Sequence, residues 1–152
     1  MIKQLDIQLH ENAQRLLALQ IPSYLIEAKL IDFDGIPPLH DTVETLMACG
    51  ETFFVYERDG RLAGSIACER EGDVLVISRM MVHPDFLRQG IARKLLRHLQ
   101  AVSDFTTGLR VSTGSRNTPA LQLYRSEGFR ETGEREVAPG VFITFLEKGS
   151  CT

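Results

Sequence analysis

Two stretches of this sequence combine residue types at spacings that can do chemistry. The first is Leu87-Arg88-Gln89-Gly90-Ile91-Ala92, a loop directly before a helix-patterned segment. The first N–H groups of a helix have no intrahelical partner and lie at the positive end of its dipole. A preceding loop with a glycine and a small residue lets an anion approach them closely, Gly90 allowing the turn and Ala92 keeping the surface low. From Arg88 to His98 the chain carries Arg88, Arg93, Lys94 and Arg97 and no acid, in a protein of formal net charge -3. A local positive field on an acidic chain suits a phosphate. The second stretch is Asn117 to Phe129, where Asn117, Ala120 and Tyr124 stand three and four residues apart. On a helix that spacing turns all three toward one face. Taken alone, Tyr124 reads as a half-buried aromatic on an amphipathic helix.

The elements that must position these residues follow from the pattern. Ile2 to Leu9 alternates as a first strand. Helical spacing begins at Glu11 and is interrupted at Ile21-Pro22, and a second helical piece runs from Tyr24 to Ile31. Asp41 with Glu44 three places later predicts a capping box and a short helix over Val43 to Ala48. Three strands follow, Thr52 to Glu57, Leu62 to Glu69 and Val74 to Val82, punctuated by the hairpin signals Asp59-Gly60 and Gly72-Asp73. The last is apolar nearly throughout, as a central strand covered on both faces should be. Ile91, Leu95, Leu96, Leu99 and Val102 form a helical stripe. Leu109 to Thr113 reads as a strand, Pro119 to Glu127 as a helix, and Phe129 to Val137 with Val141 to Lys148 as a final antiparallel pair. The order β, α, α, β, β, β, α, β, α, β, β predicts an α/β sandwich on a mixed sheet.

Length and composition bound the rest. With 152 residues, 43% of them hydrophobic and 24% charged, the chain is expected to form one folded domain over residues 1–152. No apolar run approaches the roughly 20 residues of a membrane span, and the N-terminus lacks the apolar core of a leader, so a cytoplasmic setting is expected. Cys49, Cys68 and Cys151 form no CxxC pair and read as reduced structural thiols. His10, His40, His83 and His98 are scattered without metal-ligand spacing, so no metal is expected. Residues 1 to 50 carry three basic and seven acidic side chains, which suits a solvated surface or, more sharply, a cationic substrate. The basic patch is confined to one turn and helix, which argues against a nucleic-acid partner.

Together the two stretches resemble the GNAT superfamily of N-acetyltransferases. That family shows Arg/Gln-x-x-Gly-x-Gly/Ala after a strand ending in Val-x-Pro and before a Leu-Leu helix. Here these positions read Val82-His83-Pro84, Gly90-Ile91-Ala92 and Leu95-Leu96. Leu87 stands where Arg or Gln is usual, so Arg88 or Arg93 is the expected source of side-chain charge. The family's later Asn-x-x-Ala-x-x-Leu-Tyr-x-x-x-Gly-Phe is met by Asn117, Ala120, Leu123, Tyr124, Gly128 and Phe129. The resemblance implies a mixed, mostly antiparallel sheet flanked by helices, with two central strands splayed apart. It implies acetyl-CoA as cosubstrate, its pyrophosphate on the loop from Leu87 through Arg88, Gln89, Gly90, Ile91 and Ala92 to Arg93. Its pantetheine arm would lie against main-chain groups near Met80, Met81 and Val82, like an added strand. Asn117 would contact the arm, and Tyr124 would protonate the departing thiolate as general acid.

The general base is less clear in the sequence. Val76, Ser78, Met80 and Val82 offer no carboxylate, which leaves Glu69 on the preceding strand and Glu27 in the acidic first half as candidates. The expected activity is direct transfer of an acetyl group to the amine of a small molecule or protein. No cysteine lies in either motif to support a covalent route. The alternative is a non-catalytic acyl-CoA sensor or interaction module. Related folds often form dimers, and a homodimer is the assembly the resemblance suggests.

Overall fold

The computed structural model describes residues 1–103 and 108–149, and its seven strands form one sheet. The strands are β1 (Ile2–Leu5), β2 (Thr52–Arg58), β3 (Arg61–Glu71), β4 (Val74–Val82), β5 (Gly108–Gly114), β6 (Arg130–Ala138) and β7 (Val141–Lys148). They lie in the order β1-β2-β3-β4-β5-β7-β6, and only the β4–β5 pair is parallel. Helices α1 (His10–Ile31) and α2 (Val43–Met47) cover one face, and α3 (Ile91–Val102) and α4 (Thr118–Ser126) the other. This is the expected mixed, mostly antiparallel sheet. No helix among the described residues is long and apolar enough to cross a membrane. Cys68 is buried, Cys49 half-buried, and neither is in a disulfide; Cys151 lies outside the described residues.

Two local expectations are corrected. The predicted break at Pro22 does not occur, since α1 runs through it. The ring removes one main-chain donor, but Leu19, Gln20, Tyr24, Ala28 and Ile31 on either side are all buried, and that packing outweighs one lost bond. The cap of α2 falls one residue later than predicted. Thr42 accepts from the Thr45 N–H and Thr45 Oγ1 accepts from the Thr42 N–H, which leaves Asp41 for another task.

That task lies at an irregularity in β4. Ala67 faces Arg79 and the next residue, Cys68, faces Ile77, so Ser78 is an extra residue bulged out of the ladder. A bulge bends a strand, adds twist and switches which face later side chains occupy. Here Leu75 and Ile77 point into the α3/α4 core, whereas Met81 points into the α1/α2 core. The parallel pairing with β5 ends at the same place, with Ile77 opposite Val111. Beyond it β4 and β5 separate, as the resemblance implied.

The bulge turns Arg79 toward α1, where two acids receive it. Its Nη2 and Nε donate to Glu51 at 2.9 Å each, and Nη1 donates to Asp41 Oδ2 at 2.6 Å and to Gln20 Oε1 at 3.0 Å. The Ser78 hydroxyl donates to Glu51, Thr45 Oγ1 to Asp41, and the fully buried Gln20 to Asp41 and the Pro38 carbonyl. One cation and two anions thus join α1, α2, the start of β2 and the bulge. On the opposite face Gly64 of β3 admits α3 closely. A Cβ there would lie 2.7 Å from Ile91 Cγ2 and 3.0 Å from the Met81 carbonyl oxygen.

The Arg79, Glu51 and Asp41 side chains are only 10%, 10% and 17% exposed, so removing the cation strands two acids in a poor solvent. Arg79→Leu should therefore cost about 3–5 kcal/mol of unfolding free energy, measured by urea denaturation at neutral pH. Burial pushes both acids up, but hydrogen bonds from Arg79, Ser78, Thr45 and Gln20 outweigh it and hold both below the usual carboxylate range. Their contribution is present above about pH 4–5 and lost as the pH falls through the lowered values. Glu51→Gln should flatten that acid limb, and an unchanged limb would contradict the coupling.

Candidate active site

The loop before α3 has the construction its sequence suggested. A short 3₁₀ turn over Pro84–Phe86 is capped by His83, whose Nδ1 accepts from the Asp85 N–H. The chain then takes left-handed conformations at Arg88 (φ 63°) and Gly90 (φ 74°) and enters α3. A positive φ is uncommon outside glycine, so Arg88 holds a costly conformation at the helix entry. Among the described residues, the main-chain N–H groups of residues 87 to 93 find no acceptor. Leu87, Arg88, Gln89 and Gly90 are exposed, whereas Ile91 is 2% exposed and offers only its main chain.

Side-chain charge around the loop is distributed unevenly. Arg93 donates to Glu127 at 3.3 Å and to the Ser126 hydroxyl at 2.8 Å, and Arg97 also donates to Glu127. Arg93 is therefore a clamp between α3 and α4 before it is a ligand. Arg88 has no partner among the described residues. From β2, Arg58 donates to the Gln89 side chain and to the Tyr56 hydroxyl, and Lys94 lies 5.6 Å from the centre of the Tyr56 ring.

The open edge of β4 differs from the expectation in its occupants. The N–H of His83 bonds to Ala63 of β3, so by alternation the N–H of Met81 also faces β3 and is spent in the ladder. Met80 and Val82 present theirs to the opening. These are not vacant, because Met80 N–H donates to the Tyr24 hydroxyl at 3.3 Å and Val82 N–H to the Ser23 hydroxyl at 3.1 Å. Both hydroxyls come from the turn of α1 just after Pro22. They satisfy donors that the separation from β5 would otherwise leave buried and unpaired.

Three residues later on α1, Glu27 reaches the same opening. Its Oε1 accepts from Thr113 Oγ1 at 2.9 Å and from Asn117 Nδ2 at 3.0 Å. Thr113 shares its side of β5 with Leu109 and Val111, which belong to the α3/α4 core, so the carboxylate reaches across the gap between the strands. Asn117 also caps α4, its Oδ1 accepting from the Ala120 N–H. Tyr124 is 2% exposed, stacks edge-on against Phe129 at 5.4 Å, and its hydroxyl has no hydrogen-bond partner among the described residues. Burial pushes the Tyr124 phenol well above its ordinary value, and the neighbouring Tyr24 and Glu27 push it further. Tyr24 is raised in the same way, by burial first and then by Glu27.

The structure thus brings Glu27, Asn117, Tyr124, Met80 and Val82 to one opening, with the loop from Leu87 to Arg93 at one end. Glu69 is not among them. It is exposed on β3 opposite Val76, on the side of the bulge where β4 and β5 remain paired. The sequence reading missed Ser23 and Tyr24, although Tyr24 and Glu27 stand three apart on a helix and so share a face. It also missed Arg79, whose signal was a lone charge in the strand Val74–Val82. A larger cleft of about 500 Å³ lies elsewhere, lined by Gln4, Asp6, Met47 and Thr52 among others. It contains none of the residues from either motif and is an open surface between strand ends.

Residues 49–131 match the family described as Acetyltransferase (GNAT) domain. The UPF0157 protein YqkA of Bacillus subtilis is 38% identical over 132 residues, which are 87% of this chain and 38% of that protein. The chain thus spans less than half of that relative's length. The IAA acetyltransferase of Azospirillum brasilense is 30% identical over 111 residues, 70% of this chain and 72% of that one. In fold, the ribosomal-protein-S18-alanine N-acetyltransferase of Escherichia coli aligns with a TM-score of 0.77 at 18% identity, covering 100% of this chain and 96% of the other. The yncA protein of Salmonella typhimurium, solved with its cofactor acetyl-CoA, aligns at 0.74 and 17% identity over 100% and 94%. At such identities these two likenesses concern the fold.

The chain has three tyrosines, and their environments separate them. Hydrogen bonding from Arg58 lowers Tyr56, while Tyr24 and Tyr124 are raised. Absorbance titration of phenolate should therefore show one tyrosine ionising reversibly below the ordinary tyrosine range, with the other two appearing only as the protein unfolds in alkali. Reversible ionisation of two or three together would contradict the buried placement.

Proposed function

Since this chain belongs to the GNAT acetyltransferase family, we propose that it transfers an acetyl group from acetyl-CoA directly to an amine, with Glu27 as general base and Tyr124 as general acid. One observation carries the assignment: Glu27 sits in the opening beside Tyr124, whose hydroxyl has no partner among the described residues, and two main-chain donors of β4. The residues present fit the cosubstrate. The free N–H groups of residues 87 to 93 suit a pyrophosphate, and Met80 and Val82 suit the carbonyls of an extended arm. Asn117, held by Glu27, lines the same passage. Acetyl-CoA supplies an acetyl group activated as a thioester, and its transfer to nitrogen releases a free thiol.

The chain's own residues handle two protons. As the N–C bond forms and the C–S bond breaks, Glu27 takes the proton shed by the amine nitrogen, and Tyr124 gives one to the departing sulfur. The two steps are linked by charge. The negative charge of Glu27 is one of the influences that hold the Tyr124 proton tightly. Once Glu27 is protonated that influence disappears, and Tyr124 becomes a better acid when the sulfur needs one. Ser23 and Tyr24 must release the β4 donors as the arm enters, and each exchanges one hydrogen bond for another at small net cost.

Thiol release from acetyl-CoA with a panel of amines tests this reading. Tyr124→Phe should reduce kcat by about 10²–10⁴-fold, with the calorimetric Kd for acetyl-CoA within about threefold of wild type. Glu27→Gln should lower kcat by about 10²–10⁴-fold, again with the Kd for acetyl-CoA within about threefold of wild type. Binding of acetyl-CoA without thiol release for any amine would instead favour the sensor reading, and absence of binding would refute both.

A further inference from the structure

A small cleft adjoins the elements that hold Glu27. Ile31 follows Glu27 by one turn of α1, Ser115 follows Thr113 by two residues, and Arg116 immediately precedes Asn117. These three residues, with Glu134 of β6 and Val141 and Phe142 of β7, line a cleft of about 160 Å³. Its apolar part is Ile31, Val141 and Phe142, the last 40% exposed. The feature that points to a ligand is Arg116. Its guanidinium makes no hydrogen bond or ion pair among the described residues, and Glu134 in the same lining lies beyond ion-pair distance. Most arginines of this chain are tied down, as Arg79, Arg93, Arg97, Arg110 and Arg125 are.

We propose that the acceptor is an apolar α-amino acid, its ammonium beside Glu27, its carboxylate on Arg116 and its side chain against Ile31 and Phe142. This rests on the acetyl-transfer reading above and narrows it. Three features decide between acceptor classes. A guanidinium presents paired donors matched to a carboxylate, so it selects an anion on the acceptor. The same guanidinium repels a polyamine or an aminoglycoside, although the acidic first half of the chain would attract either. The volume is below the roughly 300–1,000 Å³ of sites for larger ligands, which suits a group the size of one amino acid. In the reaction the ammonium first gives one proton to solvent through Glu27; as the amine's N–C bond forms and the C–S bond breaks, a second proton passes to Glu27 and Tyr124 protonates the departing thiolate, while the carboxylate on Arg116 is unchanged.

The test compares phenylalanine, phenethylamine and spermidine as acceptors with acetyl-CoA, following free thiol, in the wild-type chain and in Arg116→Gln. The wild type should favour phenylalanine over phenethylamine by at least about tenfold in kcat/KM. Arg116→Gln should lose about 10–100-fold for phenylalanine, mainly through KM, and change phenethylamine by less than about threefold. Arg116 is exposed, so folding is expected to survive, and an unchanged Kd for acetyl-CoA confirms that the neighbouring Asn117 is undisturbed. Thiol release with spermidine or phenethylamine but not phenylalanine overturns this inference and leaves acetyl transfer standing. Equal losses for both acceptors in Arg116→Gln also overturn it, since the residue would then act through Asn117. Absence of thiol release with every one of these amines overturns the acetyl-transfer reading itself.

Discussion

Parting two neighbouring strands in the middle of a sheet exposes main-chain donors and acceptors that the sheet exists to satisfy, and the rest of this protein is arranged around that cost. Beyond Ile77 the N–H groups of β4 can no longer reach β5. Left unpaired in a buried place, each would cost on the order of 1–3 kcal/mol. Two hydroxyls from α1 meet them. The opening is therefore a closed hydrogen-bond account in the free protein, and its partners are weak neutral donors and acceptors that an incoming amide group can replace.

The bulge at Ser78 makes the parting possible, and the buried ion cluster makes it permanent. Arg79 carries one charge against the two of Glu51 and Asp41, all within hydrogen-bond distance. Burying such groups is unfavourable unless every lone pair and proton is matched, and here hydroxyls and the Gln20 amide complete the matching. The cluster joins residues far apart in the chain: Gln20, Asp41, Glu51 and Arg79. Its role is to hold α1 at the height where Ser23, Tyr24 and Glu27 reach the gap.

Legibility in the sequence followed the range of the interactions. Val74–Val82 and Val141–Lys148 were bounded as observed because apolar runs between turn signals are local information. The Asp59-Gly60 turn was equally plain, both residues taking the positive φ that such a turn requires. Gly90, Asn117 and Tyr124 were found because they belong to compact motifs. Glu27 remained one of two candidates, since its partners Thr113 and Asn117 stand 86 and 90 residues away. Ser23 and Tyr24 were missed for the same reason: nothing near them marks a hydroxyl that will bond to a strand. Pro22 misled because a local rule about helix interiors was overridden by burial on both sides.

Gly64 has a consequence beyond close packing. The atoms that a side chain there would strike are the first residue of α3 and the carbonyl of Met81. One belongs to the helix whose entry loop has main-chain N–H groups with no acceptor among the described residues, and the other lies between the two β4 donors that Tyr24 and Ser23 satisfy. A missing methyl group thus acts as a gauge block. It fixes the distance between the entry of α3 and the parted stretch of β4, and on the proposed reading an extended thioester would be measured by its length as well as its charge. A ligand with a shorter or longer arm would satisfy one end only, and selectivity among thioesters would be written into a residue that touches none of them.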